Sequence, residues 1–269
     1  VSSPPLRVGR IAYTNVAPVE TAFDCGAVIR DAVVHTAVPA TLNASLASGE
    51  LDAGPVSAAF YLRHTAELAL LGDTCIAARG DVISVVLASS RPPTLLADTA
   101  IAVTRDSASG LALLDVILRR RYAVDAVFDP VDDAMTAALA GRPALLIGDA
   151  AIEIRDRVPP SDMYDLGRAW FDWTGLPMVF AVWAVRRDVA AQRPDDIAAL
   201  AQAYTAARAW GQAHRPQVIA AARQLRPRDA AFYEHYFSTL FYELDDTARA
   251  GLARFGTELA PLEVPRVAR

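Results

Sequence analysis

Leu6-Arg7-Val8-Gly9-Arg10-Ile11-Ala12, followed by Tyr13-Thr14-Asn15-Val16-Ala17-Pro18, reads as a strand, a short polar loop and the start of a helix. The first seven residues alternate well enough for a strand, and Pro18 suits a first helical turn, where its missing N–H leaves no hydrogen bond unmade. The same succession continues outward. Residues 31–38 read as a second strand. Residues 39–48 read as a helix, with Leu42 and Leu46 four apart and Gly49 as its stop. Residues 51–56 are short and apolar like a buried parallel strand, and Ser57 stands where it caps a helix over residues 58–64.

Two apolar runs, residues 68–78 and 82–89, precede the Pro92-Pro93 break. A second series follows: strand 99–104, helix 107–120, strand 124–128, helix 131–140 and strand 144–147. An aromatic loop over residues 170–173 leads to a long strand over residues 178–185. Helices are expected over residues 188–214, 216–225 and 229–255. Two such series and a returning strand predict an α/β protein of two lobes with two interlobe crossings. Residues 1–90 with 185–269 form lobe 1, and residues 91–184 form lobe 2. A ligand is expected to be buried where such lobes close on each other.

The 269 residues exceed the usual size of one domain, and 53% are hydrophobic, enough for a substantial core. No apolar run approaches the ~18–20 residues of a membrane span. Net charge is −5 with no long basic stripe, which argues against nucleic acid as a partner. All 26 basic residues are arginine, so a Schiff-base lysine, a pyridoxal-phosphate lysine and a P-loop lysine are excluded. Cys25 and Cys75 are isolated from each other and from any histidine cluster, so neither a disulfide framework nor a zinc site is indicated. Cys75 reads as a buried structural thiol. The start Val1-Ser2-Ser3-Pro4-Pro5 lacks the pattern of a secretion signal, and a cytoplasmic location is expected.

Asn15, Ser57, Ser84, Ser107, Ser109 and Asp149 all fall at predicted strand ends or helix starts, where α/β sheets present ligand contacts. For the serines a plain helix-capping role competes for the same hydroxyl. Asn15 is less easily given to capping, because its amide offers two donors and an acceptor at the end of the first strand. Asp106-Ser107-Ala108-Ser109-Gly110 precedes an apolar helix and is the best anion site, since helix-start N–H groups and the helix dipole favour a carboxylate. Trp170, Trp173 and Trp183 either line an aromatic-acid pocket or fill the core. Arg10 and Arg105 are expected at the solvated surface.

Residues 9–18 (GRIAYTNVAP), 38–43 (VPATLN) and 49–57 (GELDAGPVS) resemble the first lobe of the menaquinone-biosynthesis enzyme family containing chorismate dehydratase. Cys75-Ile76-Ala77, residues 82–85 (VISV) and residues 145–150 (LLIGDA) match in order and approximate spacing. The most discriminating segment runs from Tyr164-Asp165-Leu166-Gly167 through Trp170 to residues 173–183 (WTGLPMVFAVW). It is similar to the dehydratase and not to its sister cyclase, which acts on a dehypoxanthinyl futalosine. The family's usual Tyr-Leu-Asn is Tyr13-Thr14-Asn15 here, its paired serines become Ser57-Ala58, and its Ser-x-Thr-Ser loop becomes Ser107-Ala108-Ser109-Gly110.

The resemblance implies the type II periplasmic-binding-protein fold and loss of water from chorismate to give 3-[(1-carboxyvinyl)oxy]benzoate, with no metal and no cofactor. On the same resemblance Asn15 orients the substrate near the departing hydroxyl. Tyr13, Ser57, Ser84, the Ser107-Ala108-Ser109 loop and Asp149 contact the substrate, the serines holding its carboxylates. The matched motifs contain no evident base, so the substrate's enolpyruvyl carboxylate is expected to take the proton, with Asp149 as the alternative. A binding protein for a small acid would use the same fold without chemistry.

Overall fold

The structure is a computed structural model that describes residues 4–104, 108–260 and 262, with the backbone alone for Ala108 and Ser109. The chain forms two compact units, residues 1–77 with 179–245 and residues 78–178 with 246–269. The first opens with β1 (Leu6–Ile11), a 3-10 turn (Thr14–Val16), α1 (Ala17–Asp24), β2 (Ala32–Ala37), α2 (Pro39–Ser48), β3 (Ala53–Ser57), α3 (Ala58–Arg63) and β4 (Leu68–Ala78). The second contains β5 (Val85–Ala88), β6 (Ala100–Thr104), α4 (Ala108–Val116), β7 (Val127–Val131), α5 (Ala134–Leu139), β8 (Ala144–Ile147), α6 (Gly148–Ile154), β9 (Met163–Asp165) and α7 (Leu166–Thr174). β10 (Met178–Arg186) returns the chain to the first unit, followed by α8 (Arg187–Gln192), α9 (Pro194–Ala213), α10 (Arg215–Leu225), α11 (Ala230–Thr239) and β11 (Leu240–Glu243). The closing helix α12 (Asp246–Leu259) belongs to the second unit.

Each unit is built on its own sheet, of order β11-β4-β10-β3-β1-β2 in the first and β7-β6-β8-β5-β9 in the second. β2 and β3 run parallel to β1, and β10 runs antiparallel to β3. β7 and β8 run parallel to β6, whereas β5 runs antiparallel to β8. The parallel strands are joined by helices, as a parallel crossover requires. Their carboxyl ends therefore gather the loops that lead into helices.

The unit boundaries differ from those expected. β5 pairs with β8 from Val85↔Ile147 to Ala88↔Ala144, so the first passage between units lies before β5 and not near residue 90. The C-terminal helix moves to the second unit because its contacts lie there. Arg120 Nε meets Glu258 Oε2 at 3.0 Å, and Arg79 Nη2 donates to Thr247 Oγ1 at 2.7 Å. A β-carbon on Gly251 would stand 2.0 Å from the Pro177 carbonyl oxygen, so α12 packs against that backbone. The passage at Asp245/Asp246 is thus additional to the two crossings expected.

Local differences have local causes. The aromatic segment 170–173 is helical within α7, capped by the Asp165 side chain, which accepts from Arg168 N. The long helix expected over residues 188–214 is broken at Pro194, which opens α9. The helix expected over residues 229–255 is interrupted by β11, whose Leu240-Phe241-Tyr242 is β-prone and joins the edge beside β4. The strand expected over residues 124–128 begins only at Val127, after Ala123 turns the chain at φ +56°.

In the first unit Asp52 fixes β3 to β1. Its carboxylate accepts from Arg7 N at 2.8 Å, Arg7 Nε at 3.2 Å and Arg7 Nη2 at 2.5 Å. Burial works to raise the Asp52 pKa, but the Arg7 hydrogen bonds outweigh it and hold the carboxyl below its usual range. A folded pKa below the unfolded one gives stability that is present above the unfolded value and lost as pH falls through the folded value. Asp52→Asn is expected to cost about 1 kcal/mol near neutrality, discounted because Arg7 is partly exposed. Urea unfolding should show that gap closing in acid, whereas a pH-independent gap would contradict it.

Candidate functional site

Tyr13, Asn15 and Ser57 come together at one end of the first sheet. β1 and β3 are parallel neighbours in register Val8↔Ala53, so the turn after β1 and the residue closing β3 share the carboxyl edge. Asn15 lies in the 3-10 turn between β1 and α1. Its backbone carbonyl accepts from Tyr242 Oη at 2.9 Å, so β11 braces the turn from below. Gly211 allows α9 to lie close on α1, since a β-carbon there would stand 1.8 Å from the Pro18 carbonyl oxygen. The Asn15 side chain is different. Its Oδ1 is buried and, among the described residues, meets no hydrogen-bond donor. A buried acceptor without a partner costs about 1–3 kcal/mol and calls for an explanation.

Ser57 does cap α3, accepting from Phe60 N at 3.1 Å. It is also held by a residue to which the sequence reading gave no role. Asn43, on α2 and 5% exposed, accepts from Ser57 N at 3.2 Å and places Nδ2 3.4 Å from Ser57 Oγ. With two donors aimed at its oxygen, the Ser57 hydroxyl has its proton to offer outward. The signal for Asn43 was a polar amide between the buried positions Leu42 and Leu46 of one helix.

In the second unit, β6 and β8 end at the same edge, paired Ala102↔Ala144 and Val103↔Leu145. β5 starts there, because Val85 pairs with Ile147. Ser84 therefore stands next to the start of α6, and Gly148 N donates to its carbonyl at 2.8 Å. Asp149, half-buried in the first turn of α6, is thereby brought beside Ser84. Ser84 is 2% exposed, with Oγ directed 3.3 Å from the Val82 carbonyl. Ser107 and Arg105 lie outside the described residues. The backbone of Ala108 and Ser109 forms the first turn of α4, which follows β6 at the same edge.

Other expectations resolve into structure. Trp170 and Trp183 are fully buried, the first donating Nε1–H to the Pro177 carbonyl and packing edge-on against Phe255. They are core residues of their respective units. Burial pushes the Cys75 thiol far above its ordinary pKa, which leaves it an inert apolar group. Arg10 is engaged in a bidentate pair with Asp24 at 2.6 and 2.7 Å. Among the described residues no group of three His, Cys, Asp or Glu could hold a metal ion, and no helix is long and apolar enough to cross a membrane.

Comparison with known proteins gives a consistent result. The chorismate dehydratase of Thermus thermophilus is 33% identical over 97% of this chain and 99% of its own length. A solved Archaeoglobus fulgidus protein superposes with a TM-score of 0.74 at 21% identity, covering 95% of this chain and 96% of that one. A Candida albicans protein described as having the generic periplasmic-binding-protein fold superposes at 0.69 and 13% identity, covering 99% and 96%. The expected fold class is borne out. A family model described as menaquinone biosynthesis matches residues 6–260, and on that match and the Thermus relative the chain belongs to the menaquinone-biosynthesis family.

Proposed function

We propose that this enzyme is a chorismate dehydratase, a hydro-lyase that removes water from chorismate to give 3-[(1-carboxyvinyl)oxy]benzoate. The observation that carries the reading is the buried, unmatched Oδ1 of Asn15. An unpaired acceptor asks for a donor. With both carboxyls of chorismate ionised, its one O–H donor is the ring hydroxyl that is lost. Asn15 accepts that hydrogen bond and fixes the leaving group. Ser57, its oxygen already occupied by Phe60 N and Asn43, donates outward to a carboxylate. Tyr13, Ser84, the Ser107-Ala108-Ser109 segment and Asp149 complete the substrate contacts.

The reaction breaks the C–H bond at the ring carbon bearing the enolpyruvyl ether and the C–O bond at its hydroxyl-bearing neighbour. A carbon–carbon double bond forms, and proton and hydroxide leave as water. Aromatisation supplies the driving force. The chain's task is mainly orientation, for which neutral donors and acceptors suffice. The enolpyruvyl carboxylate of the substrate itself takes the proton from the ring carbon and passes it to the departing hydroxyl, which leaves as water.

The test offers chorismate and a dehypoxanthinyl futalosine separately to the purified protein. Consumption of chorismate alone is expected. Turnover of the futalosine alone would assign the chain to the sister cyclase, and binding of chorismate without turnover would make it a binding protein.

A further inference from the structure

Ile83, directly before Ser84, has φ +66°, although it is β-branched and 3% exposed. Side chains branched at the β-carbon avoid this region, and such strain persists only where surroundings impose it. Ser84 N donates to the Val82 carbonyl at 2.7 Å, closing a three-residue γ-turn of the rare positive-φ kind around Ile83. The carboxylate of Asp165 holds that turn. Its Oδ1 accepts from Val82 N at 3.0 Å and Oδ2 from Ile83 N at 2.7 Å, while Arg168 N reaches Oδ1 at 3.0 Å. Gly167 permits the close approach, since a β-carbon there would lie 3.1 Å from Val82 N. On the far side of the turn, Arg155 Nη1 reaches the Ile83 carbonyl at 3.4 Å, and Gly148 N holds the Ser84 carbonyl at 2.8 Å.

A helix cap for α7 needs only the bond to Arg168 N. The two bonds to Val82 and Ile83 reach across to a segment more than 80 positions earlier in the chain. We infer that Asp165 is a positioning residue: its carboxylate forces the γ-turn at Ile83, and the turn sets both the Ser84 hydroxyl and, through the Ser84–Gly148 bond, the start of α6 carrying Asp149. This rests on the reading of Ser84 and Asp149 as substrate contacts. The clamp itself is a property of the backbone and is measured separately.

Asp165→Asn keeps one acceptor but loses the charge that draws three N–H groups. It is expected to raise KM for chorismate about tenfold with a smaller change in kcat, because placement of a binding group is lost. The amide resonances of residues 82–84 and Gly148 should shift. Adding Ile83→Gly should restore much of the loss, since glycine takes φ +66° without being forced. A residue needed for stability alone gives the opposite result, because Ile83→Gly then only adds a cavity. Asp165→Glu, with its charge kept but displaced, should fall between and serves if the Asn variant does not fold.

Unaltered amide resonances at residues 82–84, or no gain from Ile83→Gly, would overturn the proposal. Ser84→Ala with unchanged KM would instead remove the reading of Ser84 as a substrate contact, and the amide resonances alone would then judge the clamp.

Discussion

Asn15→Ala is expected to lower kcat/KM for chorismate about 100-fold, the scale of loss when a reacting group is no longer held in its productive orientation. The unfolding temperature should stay level or rise. These opposite directions follow from one observation. Oδ1 of Asn15 is buried with no donor among the described residues, so its removal takes away a desolvated acceptor that the folded protein does not satisfy. The turn itself survives, because Tyr242 holds the Asn15 backbone carbonyl and not its side chain. Turnover assays with calorimetry on the same sample separate the terms. Activity lost together with stability would make Asn15 structural, and full activity in a folded variant would remove it from the mechanism.

Arg30→Ala is expected to cost about 3 kcal/mol of folding stability, the lower end of the penalty for breaking a buried ion pair, because Arg10 Nε remains 3.7 Å from Glu20 Oε2. That is a large fraction of the roughly 5–15 kcal/mol that holds a domain together. The Arg30 and Glu20 side chains are 5% and 1% exposed. Arg30 Nη1 donates to both Glu20 oxygens, at 3.1 and 3.0 Å, and to Tyr204 Oη at 3.0 Å. Its guanidinium also stacks over Phe23 at 4.2 Å. Burial already raises the Glu20 pKa, with Arg30 the leading influence pulling it back. Without Arg30 the folded pKa rises further above the unfolded one. The folded variant then binds a proton more tightly, so its stability is greatest below the unfolded pKa and lost as pH rises through the folded value. Chemical denaturation should show a larger deficit at pH 8 than at pH 5. A deficit below 1 kcal/mol, or one that shrinks with rising pH, would contradict the account.

The parallel half of the fold was legible because its signals are local. Pro18 and Gly49 mark a helix start and a helix stop, and the structure places α1 and α2 accordingly. β8 occupies the four apolar residues expected of it. β11 was not legible, because four residues inside helical flanks become a strand only through the edge that receives them. A helix over the α12 residues was legible from sequence, but which unit takes it is a tertiary matter.

The candidate site divides in the same way. Asn15, Ser57, Ser84 and Asp149 could be named because strand ends and helix starts are visible in sequence. Asn43 and Asp165 act by reaching backbone N–H groups from other elements, a relation that residue spacing does not encode. Asp165 lay within the most distinctive motif, yet its partners at positions 82 and 83 emerge only when β9 pairs with β5.

The most direct measurement incubates the purified protein with chorismate and follows the products by liquid chromatography and mass spectrometry, beside a no-enzyme control and the Asn15→Ala variant. The account predicts an aromatic product lighter than chorismate by one water, formed by the wild type and about 100-fold more slowly by the variant. Chorismate recovered unchanged from folded wild-type protein would contradict it.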